Sequence, residues 1–120
     1  MTSRKFYTVD EDVDYRDIIA PATSRKPPVH PGDVLREEFL EPLEMSASAL
    51  AREIRVTPSR ITRILNGEAA MTAGTALRLE RFFKVSARFW MNLQSAYEVE
   101  TERRNADADL DRILPRTARA

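Results

Sequence analysis

The chain has 120 residues, 42% of them hydrophobic and 32% charged, with 19 basic and 19 acidic side chains and a formal net charge of zero. That is enough apolar material for one small core and not for two. The absence of cysteine excludes a disulfide or a thiolate metal site, and no apolar run approaches the roughly 18 residues of a membrane span. No signal-peptide core follows Met1, so the expected compartment is the cytoplasm.

Residues 1–28 are polar and punctuated, with an acidic run at Asp10-Glu11-Asp12 and a Pro27-Pro28 pair. Phe6, Tyr7, Val9, Val13, Tyr15, Ile18 and Ile19 are more apolar residues than a pure linker carries. KFYTV fits a short strand and YRDII a helical turn. The segment reads as an arm, partly ordered at best, that orders on contact with something else.

Val29 to Leu43 is the first expected helix. Pro31 opens it, Asp33 lies in the first turn where the helix dipole favours an acid, and Val29 is placed to staple onto Val34. Val34, Leu35, Phe39 and Leu40 make its buried stripe, Glu37 and Glu38 a solvated face, and Pro42 stops it. The only histidine, His30, stands beside prolines with no second ligand nearby, which makes it a capping or surface residue and not a catalytic base.

Ser46 to Gly67, SASALAREIRVTPSRITRILNG, reads as two short helices joined by a three-residue turn. Leu50, Ala51 and Ile54, then Ile61, Ile64 and Leu65, recur at the spacing of a helix with one buried face. Ser46 caps the first helix, with Met45 and Leu50 as its staple; Thr57 caps the second, with Pro58 at the first helical position and Val56 and Ile61 as the matching staple. Asn66-Gly67 supplies a left-handed exit. The outer face of the second helix carries Ser59, Arg60, Thr62, Arg63 and Asn66. Hydroxyls, guanidiniums and an amide on a braced helix are what reading DNA in the major groove requires, so the stretch is read as a helix-turn-helix. Two amphipathic helices with a polar solvated face also occur in ordinary helical bundles.

Zero net charge argues against nucleic acid only until its distribution is considered. From Asp33 to Glu44 one arginine stands among five acids; across Ser46 to Asn66 four arginines (Arg52, Arg55, Arg60 and Arg63) stand against Glu53 alone. Basic charge is concentrated on the proposed reading unit, which implies modest, strongly salt-dependent affinity that needs two copies.

Glu68 to Met71 form a loop. Thr72 caps a fourth helix through Ala76, Leu77, Leu79, Phe82 and Phe83, and Ser86 caps a fifth, stapled by Val85 and Trp90, through Leu93, Ala96 and Tyr97. Phe82, Phe83, Phe89 and Trp90 follow helical spacing and are assigned to the core, not to a base-stacking platform. Five short helices around one core suit this length. Alternating charges beyond Tyr97 extend the fifth helix as an exposed rod to about Asn105, with some helix resuming towards Leu114; Pro115 ends it and the basic last residues are expected to be disordered. Leu110, Ile113 and Leu114 need a partner, which is the domain itself, a second protomer or another protein. The resulting division is an arm at 1–28, a DNA-binding domain at 29–97 and a charged helical extension and tail at 98–120.

HPGDVLREEFLEPLEMS followed by LAREIRVTPSRITRILNGEAAMTAGTALRLERFFKVSARFWMNLQ resembles the HigA-type antitoxins of the Cro/lambda-repressor (Xre) helix-turn-helix class, from about His30 to Tyr97. The HPG opening, the NG-x-x-x-(M/I)-T-A loop, the A-L-R-L helix and the F-W-x-N-L-Q ending carry the resemblance. It implies an all-α, lambda-repressor-like domain and a homodimeric autorepressor on a palindromic operator in double-stranded DNA. It also implies a cognate toxin, a ribosome-dependent mRNA endoribonuclease of RelE-like fold. By matched positions it puts Thr57, Ser59, Arg60, Thr62 and Arg63 against DNA and Ser46 and Asn66 near phosphates. The chain departs from the family at Glu44, Arg55 and Lys84, inter-helix turn positions where the family usually has glycine. A left-handed non-glycine residue costs about 1 kcal/mol, so either these turns relax or the domain is less stable, and Arg55 would offset its cost by reaching a phosphate.

Two copies with second helices in successive major grooves about 34 Å apart would repress by occluding a promoter. Arg60 and Arg63 are the candidates for bidentate contact with guanine, Ser59 and Thr62 for adjustable polar or thymine-methyl contacts, and Thr57, Ser46 and the helix N-terminal amides for register on phosphates. A stand-alone phage-repressor-like regulator and a protein-interaction module with residual DNA binding are the rival readings. An enzyme is not expected: one histidine, no glycine-rich phosphate loop and carboxylates on charged helix faces offer neither a catalytic constellation nor a cofactor or metal site.

Overall fold

The computed structural model describes residues 27–119, so the arm and the strand or helical turn read into residues 1–26 lie outside the described residues. Six helices occur among the described residues: α1 (residues 31–43), α2 (Ala47–Ile54), α3 (Pro58–Leu65), α4 (Ala73–Phe83), α5 (Ala87–Asn105) and the short α6 (Asp107–Asp111). A 3₁₀ turn at Arg116–Arg119 follows Pro115, where the sequence reading expects disorder. No strand occurs among the described residues, and none of their helices is long and apolar enough to cross a membrane.

The helix ends are where local chemistry is most visible. Ser46, Thr57, Thr72 and Ser86 all have extended or near-extended backbones, and each accepts a hydrogen bond from the N–H three residues on, at Ala49, Arg60, Thr75 and Phe89. The stapling residues Met45 and Val56 pack half-buried against the core, and Val85 and Trp90 are inside it. Glu80, near the end of α4, reaches forward to the start of α5, its carboxylate accepting from the Ala87 N–H at 2.6 Å.

α1 departs from a regular helix. Between a first α-helical turn at Pro31–Val34 and a last one at Glu41–Leu43, Leu35–Leu40 is π-helical, and the Glu41 N–H reaches back five residues to the Arg36 carbonyl. Pro42 is the physical reason: it has no N–H to donate, and its ring would meet the Glu38 carbonyl of a regular turn. The widened turn lets the helix run past Pro42 to Leu43, so the proline reshapes the helix and does not stop it on the spot. His30 is the N-cap: its Nδ1 accepts the Gly32 N–H at 2.9 Å, and the ring is buried with an edge-on contact to Tyr97. Of its two expected roles, capping holds and surface exposure does not.

The core joins Leu35, Phe39 and Leu40 of α1, Leu50 and Ile54 of α2, Ile61 and Ile64 of α3, Leu79 of α4, and Phe89, Trp90 and Leu93 of α5. Phe39 stacks at a tilt on both Phe83 and Trp90, with centroids 4.9 and 5.1 Å away. The aromatic assignment needs one correction. Phe89 and Trp90 are fully enclosed and Phe83 is half-buried, but Phe82 is 37% exposed. Phe82 and Phe83 point about 100° apart on α4, and of the two only Phe83 packs against the core, on Phe39. α5 runs without a break through residues 97 and 98, and beyond it Leu110, Ile113 and Leu114 remain 43%, 69% and 59% exposed.

Glu44, Arg55 and Lys84 all stand in the left-handed region, with φ of 52°, 64° and 65°, so none of these turns relaxes. Each ends a helix in the C′ position, where the sharp reversal into the next N-cap requires positive φ. Replacing Glu44 or Lys84 by glycine is therefore expected to stabilise the protein by about 1 kcal/mol each, a rise of about 4–8 °C in Tm for a domain of this size that thermal unfolding would register. The opposite is expected at Gly32, where a Cβ would run into the Ile64 carbonyl and the Leu65 backbone. Gly32→Ala should lower stability by about 1–3 kcal/mol in a denaturant titration. Burial pushes the His30 pKa below its ordinary value, against the opposing pull of Asp33 and a hydrogen bond to the Ala69 backbone. Stability is then complete above the unfolded-state pKa of about 6.5 and falls as pH drops from there towards the folded-state value. His30→Asn, which keeps a capping oxygen without a titrating ring, should flatten that slope below the unfolded-state pKa, measured by urea unfolding at a series of pH values.

Candidate nucleic-acid interface

α2 and α3 form the most extensive helix pair in the fold, separated by Arg55, Val56 and Thr57. Ala51 is fully buried at the crossing, Val56 closes the gap beneath the turn, and Ile61 and Ile64 lock α3 onto the core. That burial decides which side of α3 remains. Ser59, Arg60, Thr62, Arg63 and Asn66 are all exposed, as are Ser46 and Thr57 at the two N-caps. Ser59, Thr62, Arg63 and Asn66 recur at i, i+3, i+4 and i+7, so they share one face of the helix. Among the described residues the Arg60 and Arg63 guanidiniums make no salt bridge, and no described segment covers them.

Two of the seven candidate residues are already engaged at the backbone. Ser46 Oγ accepts from Ala49 N at 3.0 Å, and Thr57 Oγ1 accepts from Arg60 N at 3.3 Å while lying 3.5 Å from Ser59 Oγ. Capping leaves the other N-terminal amides of α2 and α3 pointing outward, with the positive end of each helix dipole. Pro58, at the first helical position, withholds no amide the helix could have used. Asn66 sits at the C-terminal end, where Gly67 takes up the positive φ of 75°.

The residues that hold this face in place come from outside the motif, and the local sequence gives no sign of them. Arg36 of α1 donates from Nη1 to the Leu65 carbonyl at 2.8 Å, closing the C-terminal end of α3, and from Nη2 to Asp33 Oδ1 at 2.9 Å. Arg78 of α4 does the same for α2, donating to the Ile54 carbonyl at 2.8 Å and more weakly to Arg55 O at 3.4 Å. Each guanidinium meets the negative end of a helix dipole and the carbonyls left orphaned there. Gly32 lets α1 approach the same end of α3 closely enough for Arg36 to reach. The loop after α3 is tied to α5 by Gln94, whose Oε1 accepts the Met71 N–H at 2.8 Å, and Gln94 is held in turn by Glu98 at 2.8 Å.

A helix-turn-helix family model matches residues 37–90. The chain is 45% identical over 82 residues to the virulence-associated protein I of Dichelobacter nodosus, covering 68% of this chain and 76% of that one. Its fold superposes on a structure of Pseudomonas aeruginosa antitoxin HigA with the higBA promoter at a TM-score of 0.72 and 39% identity, covering 74% of this chain and 98% of the other. An addiction-module antidote protein of the HigA family from Coxiella burnetii is matched at 0.71 and 38% identity, over 75% and 99% of the two chains. With the braced, outward-facing α3 and its two capped N-termini already in view, the chain belongs to the HigA-type antitoxins of the helix-turn-helix class.

Proposed function

We propose that the protein is a homodimeric, operator-binding antitoxin that represses its own promoter and neutralises a cognate toxin. The observation that carries the DNA-binding part is the bare polar face of α3, with Arg60 and Arg63 free of carboxylate partners among the described residues. The Pseudomonas antitoxin HigA, solved with the higBA promoter, supports carrying that reading over. In this reading Arg60 and Arg63 take guanine edges, and Ser59 and Thr62 make polar or methyl contacts. Thr57, Ser46, Asn66 and the helix N-terminal amides hold the backbone phosphates. Ser46 and Thr57 accept hydrogen bonds from their own helices, which leaves each hydroxyl proton to donate to a phosphate oxygen.

A single copy offers one short reading helix on a chain of zero net charge. Two copies double the base contacts and the released counterions, which fits a palindromic operator with half-sites about 34 Å apart. Leu110, Ile113 and Leu114, exposed and outside the core formed by the described residues, favour a second copy as what covers the C-terminal extension. The neutralised toxin is an mRNA-cleaving enzyme of RelE-like fold in this reading. An adjacent open reading frame for a small basic protein, and rescue of its toxicity by co-expression, would test that part separately.

A gel shift on the protein's own upstream region at two salt concentrations tests the core of the proposal; no shift at low salt would sink it. Arg63→Ala is expected to cost about 1–3 kcal/mol and to relax the preference at one base pair, read by titrating a panel of operator variants. A uniform loss across all sequences would make Arg63 a phosphate contact only. The double substitution Ile113→Lys with Leu114→Lys should shift the protein towards monomer in sedimentation and weaken operator binding, leaving the thermal unfolding of the domain little changed.

A further inference from the structure

A groove of about 390 Å³ opens where the C-terminal end of α2 meets the outer side of α4, lined by Glu53, Ile54, Arg55, Arg78, Arg81 and Phe82. Three arginines face a single glutamate there, and none of the three makes a salt bridge to a described residue. Arg78 is fixed by its bonds to the Ile54 and Arg55 carbonyls, so its charge is held at the groove and not free to swing away. The apolar component is real as well: Phe82 is 37% exposed, and Leu77, one turn back from Arg81 on α4, is 59% exposed. Guanidiniums interleaved with an exposed ring and a leucine call for an occupant that is acidic and carries apolar or aromatic residues. The DNA-facing side of α3 has no such apolar component.

The chain itself contains a segment of that composition. Residues 10–19, DEDVDYRDII, hold five carboxylates against Arg16, interleaved with Val13, Tyr15, Ile18 and Ile19. Pro27, the first described residue, lies eight positions after Ile19, which gives a reach of about 26–29 Å. That reach is comparable with the two shorter extents of the structure, 30 and 24 Å. We propose that the groove between α2 and α4 is the docking surface for this chain's own acidic stretch, residues 10–19, with carboxylates on Arg55, Arg78 and Arg81 and Tyr15 or the isoleucines on Phe82 and Leu77. The groove is separate from the bare face of α3, and the docking requires no DNA.

The test uses the full chain. Because the sequence has no cysteine, Ala20→Cys provides a single attachment point for a nitroxide. In ¹⁵N-labelled protein without DNA at low salt, amide signals of Arg55, Arg78, Arg81 and Phe82 should lose at least half their intensity relative to the reduced label. The loss should fade at about 0.5 M salt, where exposed charges are screened, and should persist on dilution with unlabelled chain. Arg81→Glu, a substitution at an exposed side chain, should abolish it while leaving amide dispersion intact; adding Asp14→Arg should restore part of it. Losses centred instead on Ser59 to Asn66, or on Val99 and Leu110, or spread evenly, overturn the proposal. So does a loss that Arg81→Glu leaves unchanged, or one that disappears on dilution. The DNA-binding reading is untouched by any of these outcomes, since no DNA is present.

Discussion

α3 has eight residues, fewer than an isolated helix needs to persist in water. It also turns its polar side away from the protein, so half its surface contributes nothing to its own stability. The rest of the structure follows from having to hold such a helix from behind. Ile61 and Ile64 clamp one side, Thr57 closes the N-terminal end, and Arg36 closes the C-terminal end from another helix. α2 is held in the same way, with Ser46 at one end and Arg78 at the other. Both helices of the motif are thus capped by their own hydroxyls at the front and by borrowed guanidiniums at the back. Those guanidiniums come from α1 and α4, which is a physical reason the motif needs the surrounding helices.

The turns impose a second constraint. Short helices joined by brief turns need abrupt reversals, and Glu44, Arg55 and Lys84 adopt the left-handed backbone that glycine would accept more easily. Helix packing overrides local preference at three places. The strain is tolerated because Leu50, Ile54, Leu79 and Phe89, on the helices either side of these turns, are fully or almost fully buried. Pro42 makes the same point in reverse. A local feature that should end α1 is absorbed as a widened turn, because Phe39 and Leu40, inside the widened segment itself, are held by the core.

Much of the site could be read directly from its residues. Periodicity assigned Ile61 and Ile64 inward, and 100° per residue then left Ser59, Arg60, Thr62, Arg63 and Asn66 outside. Capping is a local transaction between a hydroxyl and an amide three residues away, so Ser46, Thr57, Thr72 and Ser86 were legible as well. Phe82 was misread because two adjacent aromatic residues both look like core, and only the position of the core relative to α4 decides between them. His30 was half legible: its place before Pro31 marks a cap, whereas its burial depends on Tyr97, which lies 67 residues away in the chain.

What the sequence determined by itself was therefore set within a turn or two of the chain: the N-caps of four helices, the inward and outward faces of α3, and the family motifs. What tertiary structure alone decided was long in sequence separation. Arg36 reaching Leu65, Arg78 reaching Ile54, Gln94 reaching Met71 and Gly32 making room against Ile64 each join residues more than twenty positions apart. Nothing in the spacing of an arginine reveals which distant carbonyl it will meet. That partner exists only once packing has brought two helix ends together.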